Sequence, residues 1–450
     1  MAVGPMKRSA AEALGASETL GADGDVGRAA SIEALLAWLT RQGATGLDNV
    51  TVGPTALGVG VFAKRRILGG GSIATIPASV IMSVSSAAAS AVGLACAECF
   101  ADVATKPSRE FVLWLDVAAG RHDAEHRCHP YLAALPSEAS DATSWPEADL
   151  ALLDGTNLGA AARAAAQRLR NDCDTFLPLL QKLDAHLFKH CDIDALKWAR
   201  SMYFSRRFPE AVFSPAQGAC AEEMAAFASS ENESRDSATR GVLLPFFDLL
   251  DHNPETEISW ARCQDGSASF AAGLRGVKAG GELFNCYGAK SNEELLMAHG
   301  FAYRGNAADC YGLELAFRKA DGALEKRGPF YIHRADAARD QFPDGLWRAL
   351  ADAAGDEEEE DDGAVGIDAD AAGLLLETLE ARLSPFDATA DADARDAADA
   401  TRRALAAMYR DGQRKVLSDA VEALRAMLAG VDEGEDDDDV RGGDGEDDGA

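Results

Sequence analysis

The chain has 450 residues, of which 47% are hydrophobic and 26% charged, and its formal net charge is −31. This composition is typical of a globular protein with two or three domains. The sequence has no run of about 18 apolar residues and no apolar leader core, which argues against a membrane span and against secretion. A strongly acidic chain is also a poor partner for nucleic acid, since unspecific binding requires basic surface.

Much of the negative charge is concentrated in two segments. Residues 356–362 are seven acidic residues in a row, and residues 432–448 contain eleven more against one arginine. Such blocks repel themselves and remain disordered. We therefore expect an acidic loop at 355–363 and a disordered acidic tail at 430–450, which either steer a basic partner or keep the chain in solution.

The nine cysteines are scattered, and neither their odd number nor their spacing suggests a disulfide framework. Cys96-x-x-Cys99 has no second pair of cysteines, and His126, Cys128 and His129 have no fourth partner nearby. We therefore expect no structural metal. The chain is predicted to be a reduced intracellular protein, in the cytoplasm or the nucleus.

The first predicted elements follow an N-terminal segment, 1–30, that is rich in Ala and Gly and is expected to be disordered. Ser31 is predicted to cap a helix that stops at Gly43. Residues 50–83 are β-branched runs interrupted by glycines, which predicts several short strands. From about 85 to 200 the apolar periodicity is that of helices.

Strand and turn patterns return at 240–301, and the pattern becomes helical again after about 315. The last predicted helix, RRALAAMYRDGQRKVLSDAVEALRAML, has apolar residues at three- and four-residue spacings. The order of elements therefore predicts a β domain that is split by a helical insert and followed by a helical domain.

The stretch ELFNCYGAKSNEELLMAHGF contains a tyrosine, Tyr287, between a predicted strand and a predicted helix. The strand runs over 283–287 and ends at a glycine, while Ser291 and Glu294 form the pattern of a capping box. Gly300 is placed to end the helix in a left-handed cap. Tyr287 therefore lies beside flexible backbone that a ligand can approach, although an ordinary buried tyrosine fits the same pattern.

Two further clusters interrupt the β segments. GVGVFAKRRI begins at Gly58, and Gly-x-Gly lets backbone approach a ligand closely. LLPFFDLLDHNPE brings Asp248, Asp251 and His252 to the end of a buried segment. A helix-capping turn explains the second cluster equally well. A metal site made of Asp251, His252, Glu255 and Glu257 is the remaining alternative, but no HExxH-type spacing supports it.

Together the three clusters resemble the SET-domain protein methyltransferases, in the branch typified by the Rubisco large-subunit lysine methyltransferase. GVGVFAKRRI is similar to the family pattern G-x-G-x-x-A-x-R-x-I, and LLPFFDLLDHNPE is similar to P-x-x-D-x-x-N-H. YGAKSNEELLMAHGF is similar to Y-G-x-x-S-N-x-x-L-L-x-x-Y-G-F. WARSMYFSRRF, HPYLAALP, LLDGTNL and YRDGQRKVL resemble other segments of the family, so that the resemblance covers roughly residues 31–429.

The resemblance implies an α+β fold. A SET-domain β fold would occupy 31–303, with a helical insert at about 85–200, and an all-α substrate-binding domain would occupy 304–429. The implied activity is that of an S-adenosylmethionine-dependent protein-lysine N-methyltransferase acting on a non-histone protein, as a monomer. A protein-histidine methyltransferase and a catalytically silent scaffold with the SET fold are the alternatives.

The resemblance also implies roles for single residues. Tyr287 would face the transferred methyl group, Arg206 would meet the carboxylate of the cofactor, and Phe301 would pack against its adenine. The implied cofactor-binding residues are Gly58, Gly60, Gly71, Ser72, Ile73, Arg206, Asp251, His252 and Phe301. The implied substrate-binding residues are Asp248, Phe208 and His299.

Two positions depart from the family pattern. Asp251 stands where the family usually has asparagine, so the N–H donors of an amide are lost there. His299 stands where the family often has tyrosine in the wall of the lysine channel, which leaves the target amino acid and the number of methyl groups open. The cysteine cluster that follows the SET region in histone-directed branches is absent, so the helical domain would supply the docking surface for a peptide.

Overall fold

The computed structural model describes residues 22–55, 58–210, 241–318, 322–337, 340–354, 369–387 and 399–435. The predicted acidic loop at 355–363 lies outside the described residues, as do residues 1–21 and 436–450.

The described chain divides into two compact units. The first comprises the residues up to 146 together with 161–290 and 294–303. The second comprises 147–160, 291–293 and the residues from 304 onward.

The described part of the first unit contains eight short strands, which form three small antiparallel sheets. They are β1 (Val50–Thr55), β2 (Gly58–Ala63), β3 (Ser72–Ile76), β4 (Arg207–Pro209), β5 (Gly241–Leu243), β6 (Ile258–Arg262), β7 (Ala268–Ala272) and β8 (Glu282–Leu283). Strand β2 lies between β1 and β8, strand β7 lies between β3 and β6, and β4 pairs with β5. The strands predicted at 50–83 are thus confirmed.

Strand β2 shows how sequence sets the position of one such sheet. Val61 and Ala63 are buried and face the core, because alternate residues of a strand point to the same side. Val61 is opposite Leu283 of β8, and Gly60 is opposite Gly53 of β1. The glycine-bearing strand is therefore joined directly to the segment that leads to Tyr287.

The described helices are α1 (Ala22–Arg41), α2 (Val84–Ala88), α3 (Ala91–Cys99), α4 (Arg109–Gly120), α5 (His129–Ala134), α6 (Glu147–Leu150), α7 (Asn157–Leu183), α8 (Ile193–Arg206), α9 (Asn292–Ala298), α10 (Asp344–Ala354), α11 (Ala369–Asp387) and α12 (Ala400–Glu435). A short 3₁₀ turn, Phe247–Leu249, follows β5. The predicted helical region at 85–200 and the predicted C-terminal helix are confirmed.

Aromatic side chains fix the strands around this 3₁₀ turn. The rings of Phe247 and Phe270 stack with centroids 3.5 Å apart, and Trp260 stacks on Phe270 at 5.8 Å. Phe208 of β4 meets both Trp260 and Phe270 edge-on, at 5.2 and 5.6 Å. Because each buried ring contributes about 1.5–3 kcal/mol through burial alone, this cluster anchors the turn that carries Asp248.

Helix α1 differs from the prediction at its N-terminus. It begins at Ala22 rather than at Ser31, within the segment 1–30 that was expected to be disordered. Ser31 therefore lies inside the helix and does not cap it. Ala29 and Ala30 directly precede Ser31, and alanine is the best helix former, so the helix continues through this position. The helix ends as predicted, since Gly43 follows with a φ of 98°.

The second unit combines helices α10 to α12 with one hairpin. Strands β9 (Cys310–Arg318) and β10 (Leu324–His333) pair antiparallel, and the sequence pattern, which was interpreted as helical after about 315, did not predict them. Buried Leu346, Leu375 and Leu417 join the helices in one core with the hairpin. The predicted α+β class is confirmed, and in the described residues after 304 the regular elements are helices apart from this hairpin, so the domain predicted as all-α is not purely helical. Helix α12 continues to Glu435, into the predicted tail.

None of the described helices is long and apolar enough to cross a membrane. The eight cysteines in the described part of the chain are all free thiols.

Candidate active site

Two segments of the first unit cross at the centre of the site. The N–H of Asn285 donates to the carbonyl of Asp251, and the N–H of Asn253 donates to the carbonyl of Asn285, each at 2.9 Å. His252 and Asn285 form an isolated parallel bridge. This pairing holds the segment around Tyr287 against the turn after Leu250. It also replaces the predicted strand at 283–287, of which only Leu283 is in β8.

The turn that enters the site is strained. Phe246 has φ 79° and ψ −49°, a conformation close to the rare classic γ-turn that L-residues adopt only when packing enforces it. Phe246 is fully buried, and its carbonyl accepts from the N–H of Leu249 at 3.0 Å. The packed core therefore fixes the direction in which the chain leaves toward Asp248 and Leu250.

Tyr287 lies between two imidazole rings. Its ring stacks on His252 with centroids 4.9 Å apart and on His299 with centroids 4.7 Å apart. Phe301 closes the group at 6.2 Å from His252 and 6.1 Å from His299. His252 and Phe301 are buried, whereas Tyr287 and His299 retain part of their surface in solvent. The exposed edge of the stack is thus formed by a phenol and an imidazole.

Hydrogen bonds fix the orientation of all three polar rings. The Tyr287 hydroxyl donates to the carbonyl of Leu250 at 3.0 Å, and the Tyr287 N–H donates to His252 Nδ1 at 3.1 Å. His299 Nδ1 lies 3.0 Å from the carbonyl of Ser205, which can only accept, so the imidazole proton is on Nδ1 and Nε2 is left as an acceptor. Gly300, with φ 75°, ends α9 and turns the chain from His299 to Phe301.

The stack carries no charge at neutral pH. Burial lowers the pKa of His252 to about 4 and the pKa of His299 to about 3. Burial also raises the pKa of Tyr287 above its usual value, and the nearby carboxylate of Asp251 adds to this effect. The phenol is therefore protonated and the imidazoles are neutral.

A buried ion pair lies on one side of the stack. Arg206, at the end of α8, donates from Nη1 to the Asp248 side chain at 3.1 Å and to the Asp248 carbonyl at 3.0 Å. The Tyr131 hydroxyl donates to the same carboxylate at 2.9 Å. Burial disfavours the charged guanidinium, but the attraction of Asp248 outweighs this and raises the pKa of Arg206. Removing one partner of such a pair typically costs about 3–5 kcal/mol.

A second charged group joins the stack to strand β1. Thr55 donates from Oγ1 to Asp251 Oδ2 at 2.9 Å, and burial, followed by the charge of Asp251, raises the pKa of Glu282 to about 7. A Cβ added to Gly60 would lie 3.0 Å from Glu282 Oε1. Gly58 has φ 120°, which glycine adopts readily. Gly60 is required by this packing, because a Cβ there would also lie 2.5 Å from Thr55 Cγ2.

The site has open hydrogen-bonding capacity that fits an amino-acid-like ligand such as the methionine part of S-adenosylmethionine. Arg206 Nε is a buried donor and Glu282 Oε1 is a buried acceptor, and neither has a hydrogen-bond partner among the described residues. Such groups are costly to leave unpaired. A ligand with a carboxylate and an ammonium group would satisfy both.

The structure brings most of the predicted site residues together and leaves others apart. Seven of them form the connected group described above: Tyr287, His252, His299, Phe301, Asp248, Arg206 and Asp251. Gly58 and Gly60 join it through β8. The Phe208 side chain belongs to the aromatic core instead. Residues 71–73 lie at β3, in a different sheet, and no hydrogen bond, ion pair or ring contact among the described residues links them to Tyr287.

Sequence reasoning missed four residues that the structure adds: Glu282, Thr55, Tyr131 and Ser205. Each reaches the site through a contact between segments distant in sequence, such as Thr55 with Asp251 or Tyr131 with Asp248. The quoted motifs contain Tyr131 and Ser205, but no local signal marks them as polar partners. The structure gives no support to the alternative metal site. Within the described ranges, no three His, Cys, Asp or Glu side chains lie close enough together to hold a metal ion.

Solved structures of Rubisco LSMT share this fold. The structure of Rubisco LSMT bound to AdoMet matches with a TM-score of 0.67 at 19% identity, over 93% of this chain and 97% of that chain. The SET domain of LSMT bound to lysine and AdoHcy matches with a TM-score of 0.68 at 19% identity, over 90% of this chain and 93% of that chain.

Curated relatives are similar in sequence over shorter regions. The chain is 28% identical over 193 residues to the ribosomal lysine N-methyltransferase set10 of Schizosaccharomyces pombe, covering 43% of this chain and 31% of that protein. It is 25% identical over 320 residues to the chloroplastic [fructose-bisphosphate aldolase]-lysine N-methyltransferase of Arabidopsis thaliana, covering 67% of this chain and 56% of that protein. The first of these matches spans about a third of the relative and the second somewhat more than half.

No protein-family model matches the chain. The fold and the sequence similarity nevertheless agree with the resemblance predicted from the motifs. The chain is related to the SET-domain protein-lysine methyltransferases and has the fold of Rubisco LSMT.

Proposed function

We propose that this chain is an S-adenosylmethionine-dependent protein-lysine N-methyltransferase that acts on a non-histone protein. The observation that carries the proposal is the uncharged, partly exposed stack of Tyr287 between His252 and His299. The names of the curated relatives and the ligands of the two solved structures support the same activity.

The cofactor would be held by the residues around β2 and the turn after Leu250. When bound, S-adenosylmethionine supplies a methyl group on a sulfonium centre. Arg206 Nε would bind its carboxylate, as a guanidinium fork suits that group. Gly58, Gly60, Asp251, His252 and Phe301 are assigned to the rest of the cofactor. Gly71, Ser72 and Ile73 keep their assignment from the resemblance, without a further contact in support.

The main obstacle to lysine methylation is the proton on the attacking amine. A free lysine has a pKa of about 10.4, so keeping it neutral near pH 7.4 costs roughly 4 kcal/mol. A buried environment without opposite charge disfavours the ammonium form. The rings of Tyr287 and His299 are themselves neutral and add no negative charge that would favour the ammonium form.

Tyr287 would orient the amine rather than remove its proton. Its own hydrogen is donated to the Leu250 carbonyl, so the phenol oxygen presents only lone pairs and can accept an N–H of the substrate. Its raised pKa makes it a poor base. Correct alignment of the reacting groups supplies several kcal/mol of the rate enhancement.

His299 is assigned to the substrate side of the site. Its Nε2 is an acceptor, because Nδ1 is turned to the Ser205 carbonyl, and its ring forms part of the exposed edge. Asp248 and the backbone near Phe208 are assigned to the substrate as the resemblance implies. Asp248 also holds Arg206 in place.

The domain arrangement completes the proposal. We assign the SET region to 31–303 and the substrate-binding region to 304–429, and we expect the helices of the second unit to dock the protein substrate. The enzyme is expected to act as a monomer.

The most direct experiment is transfer of a labelled methyl group into a lysate by the purified chain, followed by mass spectrometry of the modified peptide. Methyl-lysine on a non-histone protein is the expected product. Methyl-histidine would support the histidine alternative, and calorimetry that shows no saturable binding of S-adenosylmethionine would support the silent scaffold.

A further inference from the structure

Two segments of the first unit, residues 63–71 and 272–281, pair with each other beyond the ends of β2 and β8. We call them the basic ribbon. Ile67 and Val277 exchange two backbone hydrogen bonds, each of 2.9 Å, so the segments run antiparallel. The backbones approach so closely that a Cβ at Gly69 would collide with the chain at the other side of the ribbon. The two segments are therefore held at a fixed spacing.

The ribbon is basic, although the chain as a whole is strongly acidic. The chain has 43 basic and 74 acidic residues, whereas the nineteen residues of the ribbon include five basic residues and no acidic one. The five, all of them exposed, are Lys64, Arg65, Arg66, Arg275 and Lys278. Arg65 pairs with exposed Asp48 at 3.0 Å. Within the part of the chain that the structure describes, the other four form no salt bridge.

The acidic residues that border the ribbon leave most of its charge in place. Glu257 is exposed beside Gly273, and it forms no ion pair with the ribbon among the described residues. Glu282 follows the ribbon directly, but its Oε1 is buried. Like charges on facing segments repel each other and destabilise the pairing. The stability of the fold therefore does not explain this cluster of charge.

Two exposed leucines accompany the charges. Leu68 is 65% exposed and Leu274 is 87% exposed, and they lie in the two facing segments of the ribbon. A single exposed leucine is ordinary, but apolar side chains grouped on a surface and rimmed by polar residues mark interaction sites. The ribbon therefore offers a partner both positive charge and apolar contact.

The ribbon is also close to the proposed site along the chain. Lys64 is four residues from Gly60, which limits the distance between their Cα atoms to about 14 Å. At its other end the ribbon leads into β8 and the segment of Tyr287. A protein that docks on the ribbon thus lies within a few residues of extended chain from the glycine-bearing strand.

We propose that the basic ribbon is a docking surface for an acidic segment of the protein substrate. The proposal rests on the proposed function and narrows the substrate class to proteins that carry acidic and apolar residues near the target lysine. Complementary charge supports it, because a positive patch selects and orients a negative partner. A nucleic acid, with one charge per about 1.7 Å, would extend over the rest of a chain whose net charge is −31 and be repelled there.

The test is fluorescence anisotropy of the full chain with a labelled, glutamate-rich synthetic peptide that contains two leucines and one lysine. We expect saturable binding that weakens with salt. Replacing two ribbon cations together, by Arg66→Glu and Lys278→Glu, should weaken binding by roughly tenfold or more. The matched control combines Lys106→Glu and Lys189→Glu, which change the net charge equally at exposed positions outside the ribbon. It should bind nearly as the wild type does.

The leucines give a second, uncharged test. Leu274→Ser should weaken binding of the same peptide by a few-fold, whereas Leu94→Ser should not, because Leu94 is 63% exposed on α3 and lies outside the ribbon. Circular dichroism establishes that each variant is folded. Arg275→Glu provides another reading of the charge effect if the double ribbon variant does not fold.

Two activity readouts separate this proposal from the proposed function. The double ribbon variant should bind S-adenosylmethionine as the wild type does in calorimetry, while its transfer of labelled methyl groups into dilute lysate protein falls. Equal peptide binding and equal methyl transfer in wild type and ribbon variant would overturn the docking surface and leave the methyltransferase proposal intact. A wild type that binds the peptide but neither binds S-adenosylmethionine nor transfers methyl groups would overturn the proposed function instead.

Other occupants of the ribbon predict different results. Tighter binding of a single-stranded oligonucleotide or of phosphatidylserine vesicles than of the peptide, lost in the double ribbon variant, would overturn the assignment to an acidic protein segment. A dimer in light scattering that the same variant converts to a monomer would overturn it as well, because a second copy of the chain would then cover the ribbon.

Discussion

The stack around Tyr287 and the carboxyl pair of Asp251 and Glu282 are neighbours with opposite electrostatic character. In the stack, burial makes His252 and His299 neutral and keeps the Tyr287 phenol protonated. In the pair, burial raises the pKa of both carboxyl groups. The same desolvation therefore disfavours the positive charge of the imidazoles and the negative charge of the carboxyl groups.

This difference matches the two requirements of methyl transfer from a cationic donor. The attacking amine must be neutral, so its surroundings should disfavour positive charge. The donor is a cation, so its surroundings should provide negative charge when it is bound. A site that separates these functions between adjacent groups can meet both at one pH.

The largest expected effect comes from the ion pair beside the stack. Asp248→Ala leaves the buried Arg206 guanidinium without its partner, and we expect a loss of about 3–5 kcal/mol in the free energy of unfolding. The matched control is Asp48→Ala, which removes an exposed pair of nearly the same length, 3.0 Å, with Arg65. Its expected cost is below about 1 kcal/mol. Urea unfolding measures both, and equal losses would contradict the assignment of the Asp248 pair to the buried site.

The neutral imidazole of His299 predicts a loss of stability in acid. The folded-state pKa of His299 is lowered to about 3 from 6.5, so the unfolded chain binds a proton that the folded chain does not. The contribution of the neutral His299 to the free energy of unfolding is complete above pH 6.5 and is lost as the pH falls toward 3. At pH 5 the loss should be about 2 kcal/mol, and His299→Phe should remove it. If the free energy of unfolding falls by the same amount in wild type and variant between pH 7.5 and 5, the prediction is wrong.

The acidic residue Glu282 predicts a pH dependence of the opposite sign. Glu282 has a folded-state pKa raised from 4.5 to about 7, so the folded chain binds the extra proton. The contribution of the protonated Glu282 to the free energy of unfolding is complete below pH 4.5 and is lost as the pH rises through 7. Glu282→Gln should therefore lose less stability than the wild type between pH 5 and 8. Thermal unfolding of the ligand-free chain measures this, with Glu255→Gln expected to follow the wild type.

Much of the site could be predicted from sequence because its residues lie in short motifs. Tyr287, His252 and Asp248 are each next to turns or glycines that break a predicted strand, and the structure brings these turns together. Glu282 could not be predicted in the same way. A glutamate at the start of a strand is usually a solvated residue, and only the pairing of β8 with β2 buries it against Gly60.

The fold was predictable in its order of elements but not in two places. The Ala-rich residues before Ser31 have the composition of a disordered segment, yet Ala also favours helix, and packing of Leu35 and Leu39 decides the outcome. Strand β9 alternates apolar residues on one face, at Tyr311, Leu313, Leu315 and Phe317, but it is short and lies at the start of a region whose pattern is otherwise helical. The burial of the hairpin of β9 and β10 against the helices of the second unit, through Leu313 and Ile332, is a tertiary effect.

The measurement that tests the central claim most directly is methyl transfer by the wild type and by Tyr287→Phe, with S-adenosylmethionine binding measured on the same samples. The account predicts that the variant binds the cofactor nearly as well and folds as well, while its turnover falls by roughly a hundredfold or more, because the amine loses the oxygen that orients it. Turnover within a few-fold of the wild type would contradict it, as would a wild type that binds no cofactor.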